Sequence, residues 1–358
     1  MRKSGHALWV AAAVVALIAA QSGCEEKPKL SPSPDSSASA APADTLVIDP
    51  NVRKALAATS ASAGAASPGD GPPATGVFGP GGADAVHQRG KPVEIKLGSD
   101  GAEPRVTIGA PAPFKGTAKL TVAIRMGPRN ALPTVDFTLE FAPENAEKGA
   151  DGGASAPAAT LVKVKKAELS SEQLGQVPEA AVKEIGKLKG SQIRIVRGPD
   201  GAASDLTLEL AKDAAPDLER VIATLGDAIL AFEVAPPPKP VGVGSVWIAQ
   251  TRNAYSGIDV VAYRMYKVTE IKGDDVTISV EVKQYAAGPN MSFAGLPPAA
   301  QLVQFESLGD GELTLHKGEG FPKDAKFAQQ LGIGMPGQGQ NANRVMMLQL
   351  QSNVLLSR

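Results

Sequence analysis

"TVDFTLEF" occupies residues 134–141, and its period is two. Val135, Phe137, Leu139 and Phe141 fall on one side, and Thr134, Asp136, Thr138 and Glu140 on the other. Successive side chains of a strand point to opposite faces, so this is a strand with one dry and one wet side. "VTISVEVK", residues 276–283, repeats the pattern. So do Leu120, Val122, Ile124 and Met126; Leu206, Leu208 and Leu210; and Met346, Leu348, Leu350 and Val354. Clean alternation in so many segments predicts sheets with one covered face, which are typically antiparallel. "GPDGAASD" (198–205), "KGDDV" (272–276) and "LGDGE" (308–312) read as hairpin turns between such strands.

Two stretches break the period. "APDLERVIATLGDAILAF" places Leu218, Val221, Ile222, Leu225, Ile229 and Phe232 on one helical stripe, with Pro216 in the first turn. "PEAAVKEIGKLK" stacks Ala181, Val182, Ile185 and Leu188. The expected fold is therefore α+β, mainly antiparallel β, with two amphipathic helices on the dry face. It spans residues 91–358, as one domain or as two lobes divided near residues 236–240, where "PPPKP" interrupts the pattern.

Upstream the composition changes. Ser31 to Ala43 are Ser, Pro and Ala except for Asp35, and Ala57 to Ala85 are dominated by Ala, Gly, Ser and Pro. Such segments cannot bury enough apolar surface to offset ordering entropy, so residues 24–90 read as a disordered tether with a reach of roughly 45 Å. One island, Asp44 to Ala58 ("DTLVIDPNVRKALAA"), carries a helix start at Asp49-Pro50 and reads as docking on its own domain or on a partner.

The tether begins at Cys24, the only cysteine of the chain. No internal disulfide can form, so an exported domain must rely on its core. Arg2 and Lys3 precede an uncharged run from Ala7 to Ala20, the pattern of a secretory signal over residues 1–23. Ordinary cleavage near Ser22 and an uncleaved anchor are the rival readings. Ala20 to Cys24 resembles the lipobox of bacterial lipoproteins, departing from it at Gln21. The resemblance implies a diacylglyceryl group on the Cys24 thiol and an acyl group (palmitate) on its amine. Two or more chains anchor stably where one does not. Glu25 in place of Asp leans the placement toward the outer membrane and periplasm.

Loss of Arg2 and Lys3 takes the formal net charge from −1 to −3, which argues against nucleic acid as a partner. Leu161 to Arg197 holds eight Lys or Arg against four Glu and reads as a solvated strand face. His87 falls in the tether. His316 alternates with Thr314 on a wet face, so neither has a neighbour at metal-ligand spacing. Asp274 with Asp275, and Asp310 with Glu312, read as turn residues rather than calcium ligands. "GIGMPG" (332–337) matches a phosphate-loop pattern only as text: it opens no helix after a strand and reads as a loop. No catalytic residue, metal ligand or cofactor site is expected.

"PVGVGSVW", Pro240 to Trp247, follows the long helix stripe and the proline linker. This order resembles uncharacterised families of exported bacterial lipoproteins, and more broadly the lipoprotein-carrier class. That likeness implies a curved antiparallel sheet, or half-barrel, around an apolar hollow. The expected function is a non-catalytic, membrane-anchored envelope lipoprotein. Its β-rich domain binds a lipid or other apolar molecule, or an envelope protein; the alternative is an assembly component with no small ligand. Trp247, Met291, Phe293, Met335 and Met346, with Met347, are the candidate residues for such a site, since methionines adapt to apolar ligands.

Overall fold

The structure, a computed structural model, describes residues 73–109, 114–127, 130–131, 133–144, 159–170, 177–197, 203–255, 257–292, 300–337 and 344–358. Cys24, the island at 44–58 and Phe293 lie outside the described residues.

Among the described residues, thirteen strands make one sheet: β1 (Glu94–Ser99), β2 (Gly116–Met126), β3 (Asn130–Ala131), β4 (Val135–Glu144), β5 (Ala159–Leu169), β6 (Gln192–Arg197), β7 (Ala203–Glu209), β8 (Val246–Tyr255), β9 (Ile258–Lys272), β10 (Asp275–Met291), β11 (Gln304–His316), β12 (Asp324–Pro336) and β13 (Val345–Ser357). Their order is β1-β8-β9-β10-β11-β12-β13-β2-β4-β5-β6-β7, with β3 beside β2. All the strand pairings are antiparallel. The chain runs β8 to β13 as a meander of hairpins and closes onto the earlier strands through β13 and β2. Strands from both sides of residues 236–240 belong to this one sheet, β8 to β13 adjoining β2 to β7 through the β13–β2 pairing.

The alternation sets which face is dry. Val135, Phe137, Leu139 and Phe141 of β4 are buried, as are Val276, Ile278, Val280 and Val282 of β10. Cross-strand partners continue the stripe, Ile278 opposite both Val268 and Leu313. Helix α3 (Glu219–Ala231) turns Ile222, Leu225 and Ile229 into this core, and Phe232 follows them. Each such side chain contributes about 1.5–3 kcal/mol. Helix α2 (Glu179–Gly186) has no fully buried residue; Val182 and Ile185 rest against the core partly covered, and Leu188 is buried past its end.

Three expectations are corrected. "LGDGE" is not a turn but the middle of β11. A Cβ on Gly309 would lie 2.6 Å from the Phe327 ring, and one on Gly311 2.5 Å from the Lys326 carbonyl and 2.8 Å from that ring. The phenyl group of β12 thus fills the space that the two glycines leave. "GIGMPG" likewise is strand, not loop, as far as Pro336, because Gly332 and Gly334 sit under Met347. The third correction concerns residues 73–90, expected in the tether. Phe78 and His87 are buried, and a short helix α1 (Gly82–Val86) lies between them. Phe78 packs with Ala83 on Val261, supplying an apolar anchor that the Gly/Pro-rich composition concealed.

Gly311→Ala is expected to lower stability by about 1–3 kcal/mol, the cost of overpacking a close contact. Urea unfolding measures it, and an unchanged midpoint would mean that Phe327 does not occupy this space.

Candidate functional site

Several buried polar groups converge at the end of α3. The guanidinium of Arg264 on β9 donates from Nη1 to the carbonyls of Leu230 and Glu233, both at 3.1 Å. Cations belong at helix C-termini, where carbonyls lack partners and carry partial negative charge. The Tyr266 hydroxyl also donates to Glu233 O (3.1 Å), and the Trp247 indole Nε1 to Ala235 O (2.8 Å). Trp247 stacks on Tyr266 with centroids 5.1 Å apart.

The Glu233 side chain points the other way, to Arg197 on β6. Nη1 and Oε1 are 2.6 Å apart, and the side chains are only 6% and 10% exposed. Oε1 receives no hydrogen bond of good alignment, so the contact is an ion pair first. Beside it, buried Thr160 has no partner for Oγ1 among the described residues. These groups border a cavity of about 10 Å³, the room of a single water molecule. Phe114, Phe141 and Phe321 cap it, with the Phe114 and Phe321 rings stacked at 5.0 Å. Arg358 lies over Phe114 and pairs with Glu319.

The candidate residues are not gathered around this cavity. Trp247 is fully buried in the main core. Met291 is buried in a second cluster with Ile258, Phe305, Leu331 and Ile333, and Met335 packs on it partly covered. Met346 and Met347 are both 44% exposed. A buried polar group separates the two clusters: Ser307 Oγ donates to Gln284 Oε1 (2.6 Å), and Gln329 Nε2 donates to both (3.0 and 2.9 Å).

His316 is exposed, with Nδ1 3.3 Å from Asp275, to which Lys323 also reaches. Hydrogen bonds from Lys323 and His316 hold the Asp275 carboxyl below its ordinary range. Asp274 pairs with Lys317 and Glu312 with Lys326, as solvated turn and strand faces do.

Sequence reasoning missed the Arg197–Glu233 pair, although a signal exists. Ile193, Ile195 and Arg197 share one face of β6, so period two already turns Arg197 inward. It also missed the contacts of α1. Arg252 bonds Asp259, Asp84 and the His87 carbonyl, and Gln250 donates to Val86 O. The Asp259 hydrogen bond, with a smaller one from Asp84, raises the Arg252 pKa against the opposing effect of burial.

Glu233→Leu is expected to cost about 3–5 kcal/mol, because it removes the carboxylate paired with a buried guanidinium. Arg197→Met added to it should recover most of that loss in denaturant titrations; additive losses would show that the two side chains do not act as a pair. Burial, aided by Tyr285 and Glu94, pushes the Tyr263 phenol up to about 12. The unfolded chain ionises near its ordinary 10. The fold favours the neutral form, so stability is whole below pH 10 and falls as pH rises toward 12, by at most about 2 kcal/mol for a partly wet ring. Absorbance at 295 nm against pH reads the titration, and Tyr263→Phe should flatten the alkaline loss. No protein-family model matches this chain, and no curated protein sequence matches it.

Proposed function

We propose that this chain is a non-catalytic envelope lipoprotein, anchored through Cys24, whose β-rich unit engages an envelope protein. The observation that carries the partner is a contrast between interior and surface. The cavity beside Glu233 and Thr160 has room for about one water. At the start of β13, by contrast, Val345, Met346 and Met347 are 50%, 44% and 44% exposed. Val303, 39% exposed, joins them, since its amide donates to Gly334 opposite Met347. Exposed apolar groups gathered at one end of a strand pair suit a protein contact, and methionine adapts to a partner's contour. No catalytic, metal or cofactor role is assigned.

We infer also that the sheet bends around α3, as the lipoprotein-carrier likeness implies. β9 is third and β6 eleventh in the order. Eight spacings of about 4.8 Å would separate them by roughly 38 Å in a flat sheet. Glu233 nonetheless touches Tyr266 of β9 and Arg197 of β6.

Cys24→Ser should abolish labelling with radioactive palmitate and release the protein from membranes; retained labelling would sink the anchor. For the partner, a photo-crosslinking residue in place of Met346 should give a discrete heavier species with one envelope protein in its own host. That species should be lost when Val345 and Met347 become Ser, with unfolding shifted by less than about 0.5 kcal/mol. Crosslinks to phospholipid alone, or none, would overturn the partner reading.

A further inference from the structure

Between β10 and β11 the sheet has a seam. The two strands pair from Asp275 opposite His316 to Gln284 opposite Ser307 and no further. Beyond that point residues 75–78 lie between them. Phe305 N donates to Thr75 O (2.8 Å), Ala286 N to Gly76 O (2.8 Å), and Phe78 N to Ala286 O (2.9 Å). Val77 pairs with Ala286 in parallel, the opposite sense to the strand pairings around it.

The side chains of this insert are specified one by one. Gly76 has φ +73°, and a Cβ there would fall 1.7 Å from the Phe305 carbonyl oxygen, so this position admits only glycine. Val77 packs on the cluster of Ile258, Met291 and Phe305. Phe78 turns to the other face, where its ring meets Tyr285 edge-on at 6.1 Å and covers Val261. The seam thus offers two backbone donors, one acceptor, a site that excludes any side chain, and apolar ground on each face.

We propose that the seam is a peptide-accepting site, filled in cis by residues 75–78, and that it takes in trans an extended segment carrying glycine, an apolar residue and an aromatic residue in that order. Main-chain bonds supply such a site's affinity and the alternating pockets its selectivity. This surface is distinct from the exposed end of β13 and does not depend on what binds there. The cis segment holds the site at the high effective concentration of a covalent neighbour, so it must be displaced before a partner can bind.

Hydrogen exchange on the full chain tests this. Gly76→Val should expel the insert and raise exchange at the Ala286 and Phe305 amides by about tenfold or more, with β4 residues 135–144 unchanged as the control. A synthetic peptide of residues 73–80 (PATGVFGP), at about 1 mM, should lower that exchange again, and the same peptide with Val for Gly should not. Should β4 also lose protection, Phe78→Ala carries the same readouts without a clash. Amides that stay protected in both variants, or exchange that the peptide leaves unchanged, would overturn the proposal.

Discussion

The fold turns on the six residues from Leu230 to Ala235. There α3 ends, and Arg264, Tyr266 and Trp247 donate to the carbonyls of Leu230, Glu233 and Ala235. The main chain of this junction is thereby fixed to β8 and β9, and the Glu233 side chain fixes it to β6. Desolvating two charges is expensive, and an apolar pair of equal volume is commonly no worse. The pair's contribution is therefore one of position. Glu233 cannot leave Arg197 without separating two buried opposite charges, so the junction ties β6 to β8 and β9 in a single arrangement.

A second constraint divides the covered face. Gln284, Ser307 and Gln329 stand side by side on β10, β11 and β12, between the main core and the cluster around Met291. Amide groups there satisfy one another, which fixes strand register more sharply than alkyl packing does, since a slip of one residue would bury unpaired amides. On one side of them the core is deep and holds α3. On the other it is shallow, and completed by Val77 from the N-terminal segment.

The features of this structure legible in the sequence are those governed by period. β4 and β10 could be placed because one face of each is buried and the other wet. The α3 stripe could be read because Ile222, Leu225, Ile229 and Phe232 all meet the core. Period fails where one residue's role is filled by another's side chain. Gly309 and Gly311 look like turn glycines until Phe327 is laid across them, and no local rule joins residues 16 to 18 positions apart. The same holds for Gly76, whose meaning lies in a carbonyl more than two hundred residues away. That Trp247 lies in the main core, apart from Met335, Met346 and Met347, was not legible, because the belt between them is built from three separate strands.

The two ends of the long strands differ in chemistry, and this bears on function. At the end holding the β9–β10 and β11–β12 turns, three phenylalanines close the interior, and ion pairs of Glu319 with Arg358 and Asp275 with Lys323 ring them. At the opposite end Met346 and Met347 stand in water, and an insert from earlier in the chain completes the sheet between β10 and β11. Antiparallel hairpins place both features at the same end, since Met346 pairs with Met335 and Phe305 with Ile333. The segment of residues 75–78 thus lies at the end where Met346 and Met347 are exposed.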